Sequence, residues 1–376
     1  NAATTPIDPR VKDAMLPWLG ENYGNPSSVH EAGRKAKVML EDTRDLFAAF
    51  IGARSSEIYF TSGGTEANNY AIKGSAFYNL GKKDHIITTA IEHSAVLDTV
   101  EYLKTRFGFG VTYLKTNKFG EIDLTELTDS ITDSTFLVSV MHSNNELGVI
   151  NDIPSISGLL KKRDIMLHSD MVQSLGKVKF SIIETGVNFA SFSGHKIYGP
   201  KGLGVLYIKK DSPIDKFMHG GKQERDRRGG TENIPAIAGF KKAIEILKDE
   251  MNSDVEKYTE LRNILLGELN SLFSDKIVVN SAKQGGINLP NIVNISFNPE
   301  TTKIDPDTLL IKLDMKGIAV SSGSACTSGS IQPSHVLKAI GYDDNTARSS
   351  VRISFGRFNI ESDIESLIKG LKEIIS

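Results

Sequence analysis

Short apolar segments alternate with helical patterns through the first two thirds of the chain. The apolar segments cover residues 58–60, 85–89, 111–114, 136–141, 165–168, 189–192 and 204–208. Amphipathic helical patterns between them include residues 66–78, 95–107 and 153–162. Strands that alternate with helices in this way form a mostly parallel sheet with helices on both faces. The pattern therefore predicts an α/β unit.

The last third of the chain has a different pattern. A long amphipathic helix from Ala236 to about Asp249 is expected to lead into a second helical stretch that ends near Phe273. A turn rich in Gly and Asn follows at residues 284–291. Beyond it, predicted strands at 292–297, 318–321 and 351–355 alternate with predicted helices at 307–316, 335–340 and 360–375. This pattern predicts a smaller α+β unit, with the boundary between the units near residues 250–260.

Composition narrows the class of protein. A chain of 376 residues with 39% hydrophobic and 24% charged residues is large enough for two packed globular units. The net charge of -2, without long blocks of like charge, argues against a surface for nucleic acid or membrane. Since Cys326 is the single cysteine, no disulfide forms within the chain, and a reducing cytoplasm is the expected location. The histidines are too widely spaced for a zinc motif, so no metal is expected.

One lysine stands in an unusual context. Lys196 follows the predicted strand at 189–192 and lies between a small, hydroxyl-bearing turn and a Gly-Pro-containing turn at residues 199–202. Desolvation beside a buried strand lowers the pKa of an ammonium group, and the neutral amine then forms a Schiff base with an aldehyde cofactor. The alternative is an ordinary loop lysine, which this motif alone does not eliminate.

Further polar residues follow other predicted strands, where open α/β sheets bind their ligands. Gly64 and Thr65 open a helix, and such a turn suits a phosphate group. Asp170 follows strand 165–168 and could keep a pyridine-type ring protonated, with Gln173 near a ring oxygen. The simpler interpretations are a Gly-rich turn capped by Thr65 and a turn capped by Asp170.

The remaining candidate site residues follow two other predicted strands or lie in one loop. His93 follows strand 85–89 and could stack on an aromatic cofactor, while Asn145 follows strand 136–141. A lone histidine more often has a structural hydrogen-bonding role. Cys326 lies in a loop of Ser, Gly and Thr, where a thiol is accessible for chemistry. The alternative is an incidental surface cysteine.

Together these motifs resemble the pyridoxal-phosphate-dependent cysteine desulfurases of the NifS/IscS-like group, class V aminotransferases of PLP fold type I. The resemblance covers nearly the whole chain, from Asn1 to Phe358. It is carried by the segments TSGGTE at 61–66, EH at 92–93, NNE at 144–146, SFSGHK at 191–196, RGGT at 228–231 and SGSACT at 322–327.

The resemblance implies a domain organisation and a biological setting. It implies a large cofactor-binding domain of residues 15–255 with a mostly parallel seven-stranded sheet. Residues 1–14 and 256–376 would form a smaller α+β domain that carries Cys326. It also implies a cytoplasmic homodimer that takes L-cysteine, forms L-alanine and passes sulfur to an iron–sulfur scaffold protein or another acceptor.

The resemblance also implies the chemical roles of five residues. Lys196 would hold pyridoxal 5'-phosphate as the Schiff-base lysine, and Asp170 would pair with the pyridine nitrogen. His93 would stack on the ring and assist proton transfer. Arg352 would bind the substrate carboxylate in a bidentate pair, and Cys326 would accept the sulfur as a persulfide.

The remaining implied roles concern binding. Gln173 and Asn145 would contact the ring oxygen and its surroundings, and Asn145 would also contact the substrate. The phosphate group would be held by Gly64, Thr65, Ser193 and His195, and by Thr231 from the neighbouring subunit.

Two alternatives share much of this evidence. A selenocysteine lyase or an aminotransferase on the same fold would use the same lysine, carboxylate and phosphate site. A catalytically silent assembly partner would bind other proteins without holding the cofactor.

Overall fold

The computed structural model describes residues 1–281, 288–302, 304–322 and 332–375. The strands are β1 Ile58–Thr61, β2 His85–Thr89, β3 Gly110–Leu114, β4 Thr135–Ser139, β5 Met166–Asp170, β6 Phe189–Ser193, β7 Gly204–Ile208, β8 Ile277–Val279, β9 Ile292–Phe297 and β10 Ser350–Ser354. The first helices are α1 Pro9–Leu19, α2 Glu31–Ile51, α3 Gly64–Asn79, α4 Ser94–Phe107, α5 Leu124–Ser130, α6 Ile153–Lys161 and α7 Ile182–Thr185. They are followed by α8 Gln223–Asp226, α9 Ile234–Phe273, α10 Pro306–Asp314, α11 His335–Ala339, α12 Asp344–Arg348 and α13 Glu361–Ile375.

The strands β1 to β7 form one sheet in the order β1-β7-β6-β5-β4-β2-β3. Strands β3, β2, β4, β5 and β6 pair in parallel, whereas β7 is antiparallel to both β6 and β1. The predicted α/β class with a mostly parallel seven-stranded sheet is therefore confirmed. Since β1 and β6 both run against β7, the carboxyl ends of β1, β2, β4, β5 and β6 meet at one edge of the sheet.

A glycine in β7 allows the chain to pack closely at that edge. A Cβ atom on Gly204 would lie 2.4 Å from the carbonyl carbon of Gly63, which no side chain tolerates. The turn between β1 and α3 therefore rests directly on the start of β7. This contact brings the amino end of α3 close to the end of β6, because Gly204 pairs with Ser193.

Apolar side chains cover both faces of the large sheet. On one face, residues of α2, α6 and the first half of α9 pack around Phe47, Phe192 and Phe240. On the other face, α3 and α4 pack around residues such as Tyr70 and Phe189. Strands buried on both faces read as apolar runs, which is why six of the seven strands could be recognised in the sequence; the edge strand β3 is only partly buried.

Helix α9 differs from its prediction. Two helical stretches were expected, but Ile234–Phe273 is one helix of 40 residues. Its first half packs on the large sheet through residues such as Ile244, and its second half packs on the smaller sheet through residues such as Leu265. The sequence has no Gly or Pro between the two apolar stretches, so nothing ends the helix where its apolar face changes partner.

The smaller sheet has the order β10-β9-β8 and is antiparallel. Strands β9 and β10 lie where they were predicted, but the predicted strand at 318–321 is wrong. Only Ser321 pairs with β10, in an isolated bridge to Arg352. The third strand is β8, whose three residues are too few to show an alternating pattern. Most of the predicted turn at 284–291 lies outside the described residues.

The predicted division into residues 15–255 and the remainder stays a prediction, because α9 passes through residue 255 without interruption. Among the described residues, every helix is too short or too polar to span a bilayer.

Candidate functional site

A cavity of about 400 Å³ opens at the edge where the carboxyl ends of the strands meet. It is lined by Ala2, Ala3, Gly64, Thr65, Asn68, His93, Met141, Ser143, Asn145, Asp170, Val172, Gln173, Ser193, His195, Lys196, Ser321 and Arg352. Ten of the residues predicted from the sequence are in this set: Gly64, Thr65, His93, Asn145, Asp170, Gln173, Ser193, His195, Lys196 and Arg352. Topology brings them together from positions up to 288 residues apart (Gly64 to Arg352).

Lys196 is the last residue of the short 3₁₀ turn Gly194–Lys196, which follows β6, and its side chain lines the cavity. Its Nζ atom donates hydrogen bonds to the carbonyl oxygens of Ala2 and Ala3, both at 2.6 Å. Burial, reinforced by the positive charge of Arg352, lowers the pKa of Lys196 to about 8, and Asp170 acts in the opposite direction. The amine therefore reaches its neutral, nucleophilic form much closer to pH 7 than an exposed lysine does.

Asp170 is the last residue of β5 and is 7% exposed. Its Oδ1 atom accepts a hydrogen bond from the Val172 backbone N–H at 3.0 Å, so the turn-capping role is present. Its Oδ2 atom accepts from the Asn68 side-chain amide at 2.7 Å. Two donors hold the carboxylate at the cavity wall, where it also serves as a negative counter-charge to a bound cationic group.

Gln173 follows on the same turn and is oriented by the N-terminal segment. Its Nε2 atom donates to the Ala2 carbonyl at 2.9 Å. Its Oε1 atom is buried and has no hydrogen-bond partner among the described residues, and the same holds for Oδ1 of Asn68. Buried polar atoms without partners are costly, so both amides favour a polar ligand in the cavity that they line.

His93 lies at the opposite side of the cavity as the N-cap of α4. Its Nδ1 atom accepts a hydrogen bond from the Ala95 backbone N–H at 3.0 Å. When the ring is neutral, its proton is therefore on Nε2. The structural role considered for a lone histidine is real here, and it leaves the ring face and Nε2 available to the cavity.

The amino end of α3 forms the polar end of the site. Gly64 starts this 16-residue helix, and a Cβ atom there would lie 2.9 Å from Cγ2 of Val172. An adjoining hollow is lined by Thr4, Ser62, Gly63, Gly64, Thr65, Glu66, Ser193, His195, Lys201 and Gly202. Free backbone N–H groups, hydroxyl groups and a lysine are the groups that bind a phosphate.

His195 lies between the polar end and Lys196. Its Nδ1 atom is 3.1 Å from Oγ1 of Thr4. Burial, reinforced by Lys196 and Lys201, lowers the pKa of His195 to about 4. The ring is therefore neutral at physiological pH and can donate one N–H to an anion.

Arg352 closes the site from the smaller sheet. This residue of β10 is 6% exposed, and its Nη1 atom donates to the Asn145 carbonyl at 2.8 Å. Its Nε atom is buried without a partner, and no carboxylate of the described residues forms an ion pair with it. A buried guanidinium without a direct counter-ion fits a ligand carboxylate.

Of the predicted residues that the structure describes, only Thr231 does not line the cavity. Thr231 is exposed, three residues beyond Arg228, which is held by a bidentate ion pair with Glu66 of α3. Cys326 lies outside the described residues. Within the described ranges, no group of three His, Cys, Asp or Glu side chains is arranged to bind a metal ion.

Sequence reasoning missed Asn68 and the carbonyl groups of the N-terminal segment. Asn68 lies one helical turn after Gly64 and is 1% exposed. That spacing places it on the same helix face as the glycine, and this was the available signal. The segment before α1 runs past the lysine turn, where the Thr5 N–H donates to the His195 carbonyl at 3.0 Å. Backbone carbonyls have no sequence signature, so their role emerges only from tertiary structure.

Comparison with known proteins agrees with the fold. The model of the aminotransferase class-V family matches residues 1–367. The chain belongs to this family, whose cofactor is pyridoxal phosphate. It is similar to the cysteine desulfurase IscS of Dictyoglomus turgidum, with 43% identity over 374 residues that span 100% of this chain and 93% of the relative.

Solved structures extend the similarity. A structure described as a NifS-like protein superposes with a TM-score of 0.91 and 38% identity, covering 99% of this chain and 97% of that one. A structure described as SspA in complex with cysteine has a TM-score of 0.82 and 35% identity, covering 96% of this chain and 98% of that one.

The residues present fit pyridoxal phosphate. Lys196 offers an amine to its aldehyde, Asp170 a carboxylate to its ring nitrogen, and the amino end of α3 a site for its phosphate. The unpaired Oε1 of Gln173 and Oδ1 of Asn68 indicate where polar atoms of a ligand are required. The cavity volume of about 400 Å³ is within the range of small-molecule sites.

Proposed function

We propose that this protein is a pyridoxal-phosphate-dependent cysteine desulfurase, which converts L-cysteine to L-alanine and retains the sulfur as a persulfide on Cys326. The observation that carries the proposal is the arrangement of Lys196, Asp170 and Arg352 around one cavity. Support for the substrate comes from the similarity to IscS cysteine desulfurases and to a structure determined with cysteine.

The cofactor supplies an aldehyde that links covalently to amines and a ring that withdraws electrons from the substrate. The residues of the chain supply binding, orientation and proton transfer. Asp170 holds the ring nitrogen in its protonated state, and the ring face of His93 packs on the cofactor. Gln173 and Asn145 contact the ring oxygen and its surroundings.

The phosphate is held by the amino end of α3 at Gly64 and Thr65, together with Ser193 and His195. In a homodimer, Thr231 of a second copy completes this site. Its exposure and its position beyond the anchored Arg228 leave its hydroxyl available to another chain.

Substrate recognition belongs to Arg352, with Asn145 beside it. The guanidinium binds the substrate carboxylate with two parallel hydrogen bonds, which also orients the Cα–H bond. As a neutral amine, Lys196 would take the proton from Cα, and His93, which lines the same cavity, would assist this proton transfer. The lowered pKa of Lys196 favours this role as a base.

Sulfur transfer needs no external oxidant. The Cys326 thiolate attacks the substrate sulfur, so that an S–S bond forms while the Cβ–S bond breaks. The electron pair of the broken bond stays with the carbon skeleton, which takes up a proton and leaves as alanine. The sulfur remains on Cys326 as a persulfide for an iron–sulfur scaffold protein or another acceptor in the cytoplasm.

The test compares wild-type protein with Cys326→Ser and Lys196→Ala, and uses Lys209→Ala on the exposed surface as a control. Wild type and Lys209→Ala should show the yellow cofactor absorbance and form alanine from cysteine. Cys326→Ser should keep the cofactor absorbance, but its rates of alanine and persulfide formation should fall about 100-fold or more. Lys196→Ala should lose the borohydride-trapped adduct.

Other outcomes identify the alternatives. Alanine formation from cysteine by Cys326→Ser at the wild-type rate would refute the sulfur-transfer step. Activity on selenocysteine alone would indicate a selenocysteine lyase. Transfer of the amino group to an oxoacid would indicate an aminotransferase. Absence of both absorbance and adduct in wild type would indicate a non-catalytic assembly partner.

A further inference from the structure

A second lysine lies buried directly behind Lys196. Lys177 follows β5 on the turn that also carries Gln173, and the residue is 8% exposed. Its Nζ atom donates to the Lys196 carbonyl oxygen at 3.2 Å and lies 3.5 Å from the carbonyl oxygen of Leu175. Buried lysines normally pair with carboxylates. No carboxylate of the described residues forms an ion pair with Lys177.

The carboxylate that raises the pKa of Lys177 already forms an ion pair with another residue. Asp254 of α9 favours the charged form of Lys177. Its Oδ2 atom, however, accepts hydrogen bonds from Arg357 at 2.7 Å and 3.0 Å. Because Asp254 forms its ion pair with Arg357, Lys177 donates a hydrogen bond to a backbone carbonyl instead.

That carbonyl belongs to a constrained part of the backbone. Among the described residues, no backbone N–H donates to the Lys196 carbonyl, so the Lys177 amine is its donor. Two residues later, Tyr198 has a φ of 63°, which costs a bulky residue about 1 to 2 kcal/mol. Its N–H and carbonyl are held by Thr5 and Asp8. The N–H of the same peptide unit, that of Ile197, donates to the Gly194 carbonyl at 3.2 Å, so Lys177 supplies the donor for the carbonyl side of this peptide plane.

We propose that Lys177 is a positioning residue for Lys196: its hydrogen bond to the Lys196 carbonyl sets the direction in which the Lys196 amine enters the site. The inference rests on the proposed function, because it assigns Lys177 a role toward the cofactor-bearing lysine. The role of Lys177 concerns Lys196 and does not depend on which substrate the enzyme converts.

The two buried amines titrate in sequence. Burial, reinforced by the charge of Lys196, lowers the pKa of Lys177 to about 7, below the value of about 8 for Lys196. Lys177 is therefore mostly neutral in the pH range where the Lys196 amine loses its proton, and its replacement should leave that midpoint close to the wild-type value.

Other titrating groups near Lys177 act outside the relevant pH range. His195 has its pKa lowered to about 4, and the Asn1 amino group to about 5, in both cases mainly by burial. The Asp254 carboxylate is paired with Arg357. A titration from about pH 6 to 10 covers both lysines, and the contribution of Glu92, whose pKa burial raises to about 8, is common to every variant.

The test uses three substitutions in the cofactor-loaded protein. Lys177→Met removes both the donor and the charge, Lys177→Gln keeps a donor without the charge, and Lys177→Arg keeps both. Lys179→Met, at an exposed position two residues away, is the matched control. For each variant, the midpoint of the pH-dependent change in cofactor absorbance and the yield of borohydride-trapped adduct at Lys196 are measured.

The adduct yield at Lys196 should fall in Lys177→Met and stay at the wild-type level in Lys177→Gln, Lys177→Arg and Lys179→Met, because methionine is the one residue tried at position 177 that lacks a donor for the Lys196 carbonyl. The midpoint should stay close to the wild-type value in all four variants. A wild-type adduct yield in Lys177→Met would overturn the inference. If Lys177→Met does not fold, loss of the adduct in Lys177→Gln would overturn it. Absence of an adduct in wild type would instead refute the proposed function.

Discussion

At the scale of single residues, the site is built from groups that lack their usual partners. Arg352 is a buried guanidinium without a carboxylate in contact, and Lys196 donates only to backbone carbonyls. Gln173 and Asn68 each have a buried oxygen without a donor. Such groups destabilise the folded chain by itself, so their combination in one cavity indicates that a ligand compensates them.

Arg352→Lys tests the role of the guanidinium. We expect kcat/KM for cysteine to fall about 100-fold, mainly through a higher KM, because one ammonium group cannot form two parallel hydrogen bonds to a carboxylate. Steady-state alanine formation measures the effect, and the cofactor absorbance should be unchanged. Arg163→Lys at an exposed position should behave as wild type. An unchanged KM in Arg352→Lys would contradict the assignment.

At the scale of secondary-structure elements, buried carboxylates join the elements that carry the site. Glu92 lies between β2 and α4, is 0% exposed, and accepts hydrogen bonds from the Met141 backbone N–H and the Thr89 hydroxyl. Burial raises the pKa of Glu92 to about 8, and Asp170 acts in the same direction. Glu92 is therefore mostly protonated at neutral pH.

Glu92→Gln should change how stability depends on pH. The folded-state pKa of Glu92 lies above its unfolded value, so the folded protein binds the extra proton between about pH 4.5 and 8, and stability falls as pH rises through that range. The slope for one proton is about 1.4 kcal/mol per pH unit. Thermal melts from pH 5 to about 8 should show a smaller decline in Glu92→Gln than in wild type, whereas exposed Glu184→Gln should keep the wild-type decline. Parallel curves for wild type and Glu92→Gln would refute this prediction.

A second buried carboxylate, Glu224, anchors the segment that leads to Thr231. Its two oxygens accept hydrogen bonds from Arg44 of α2 at 2.7 and 2.9 Å, and Oε2 also accepts from the Phe60 N–H at 2.8 Å. Glu224 and the next two residues have positive φ angles of 46°, 54° and 64°. The ion pair thus holds three consecutive residues in a costly left-handed conformation.

Glu224→Gln should destabilise the protein by about 3 kcal/mol, because it removes the buried bidentate partner of Arg44 and leaves only the half-buried Glu41, at 3.2 Å, to pair with that charge. Chemical denaturation measures the loss. Glu245→Gln, which breaks the surface pair with Lys242, should cost no more than about 0.5 kcal/mol. Equal, small effects of both substitutions would show that the buried pair does not stabilise this segment.

At the scale of the whole molecule, the site joins three distant parts of the chain. Lys196 and Asp170 come from the large sheet, Arg352 from the smaller sheet, and the carbonyls of Ala2 and Ala3 from the N-terminal segment. The N-terminal segment is also tied to the smaller sheet through hydrogen bonds between Asn1 and Ser354. Long-range contacts of this kind fix the relative positions of reacting groups that no local element could align.

Mixed dimers test whether Thr231 acts on a second copy. Lys196→Ala and Thr231→Ala chains are each expected to be nearly inactive alone. In a mixed dimer, one site receives an intact Lys196 from one chain and an intact Thr231 from the other. Unfolding and refolding an equimolar mixture should therefore restore about one quarter of the wild-type activity, since half of the dimers are mixed and each has one complete site.

The control places both substitutions on one chain and mixes it with wild type. Neither site of that mixed dimer is complete, so activity should only fall with dilution. If the first mixture gains nothing over its components while refolded wild type recovers fully, then Thr231 acts within its own chain or not at all.

The amino-acid sequence by itself determined the strands of the large sheet, because six of them are buried on both faces and require apolar runs, while the partly buried edge strand β3 still has a short apolar segment. It also determined the residues at the carboxyl ends of those strands, including Lys196, Asp170 and His93, since a ligand site there needs polar groups where each run stops. Helix α9 was divided incorrectly, because the change of its apolar face from one core to another looks like a break in the sequence.

Only the tertiary structure decided which groups share the cavity and in what state. The sequence contains no signal for the carbonyls of Ala2 and Ala3 at the lysine, for the contact between Asn68 and Asp170, or for the buried amine of Lys177 behind Lys196. These arise from contacts between residues that are far apart in the chain. Burial and neighbouring charge, which lower the pKa of Lys196, exist only once those contacts have excluded water.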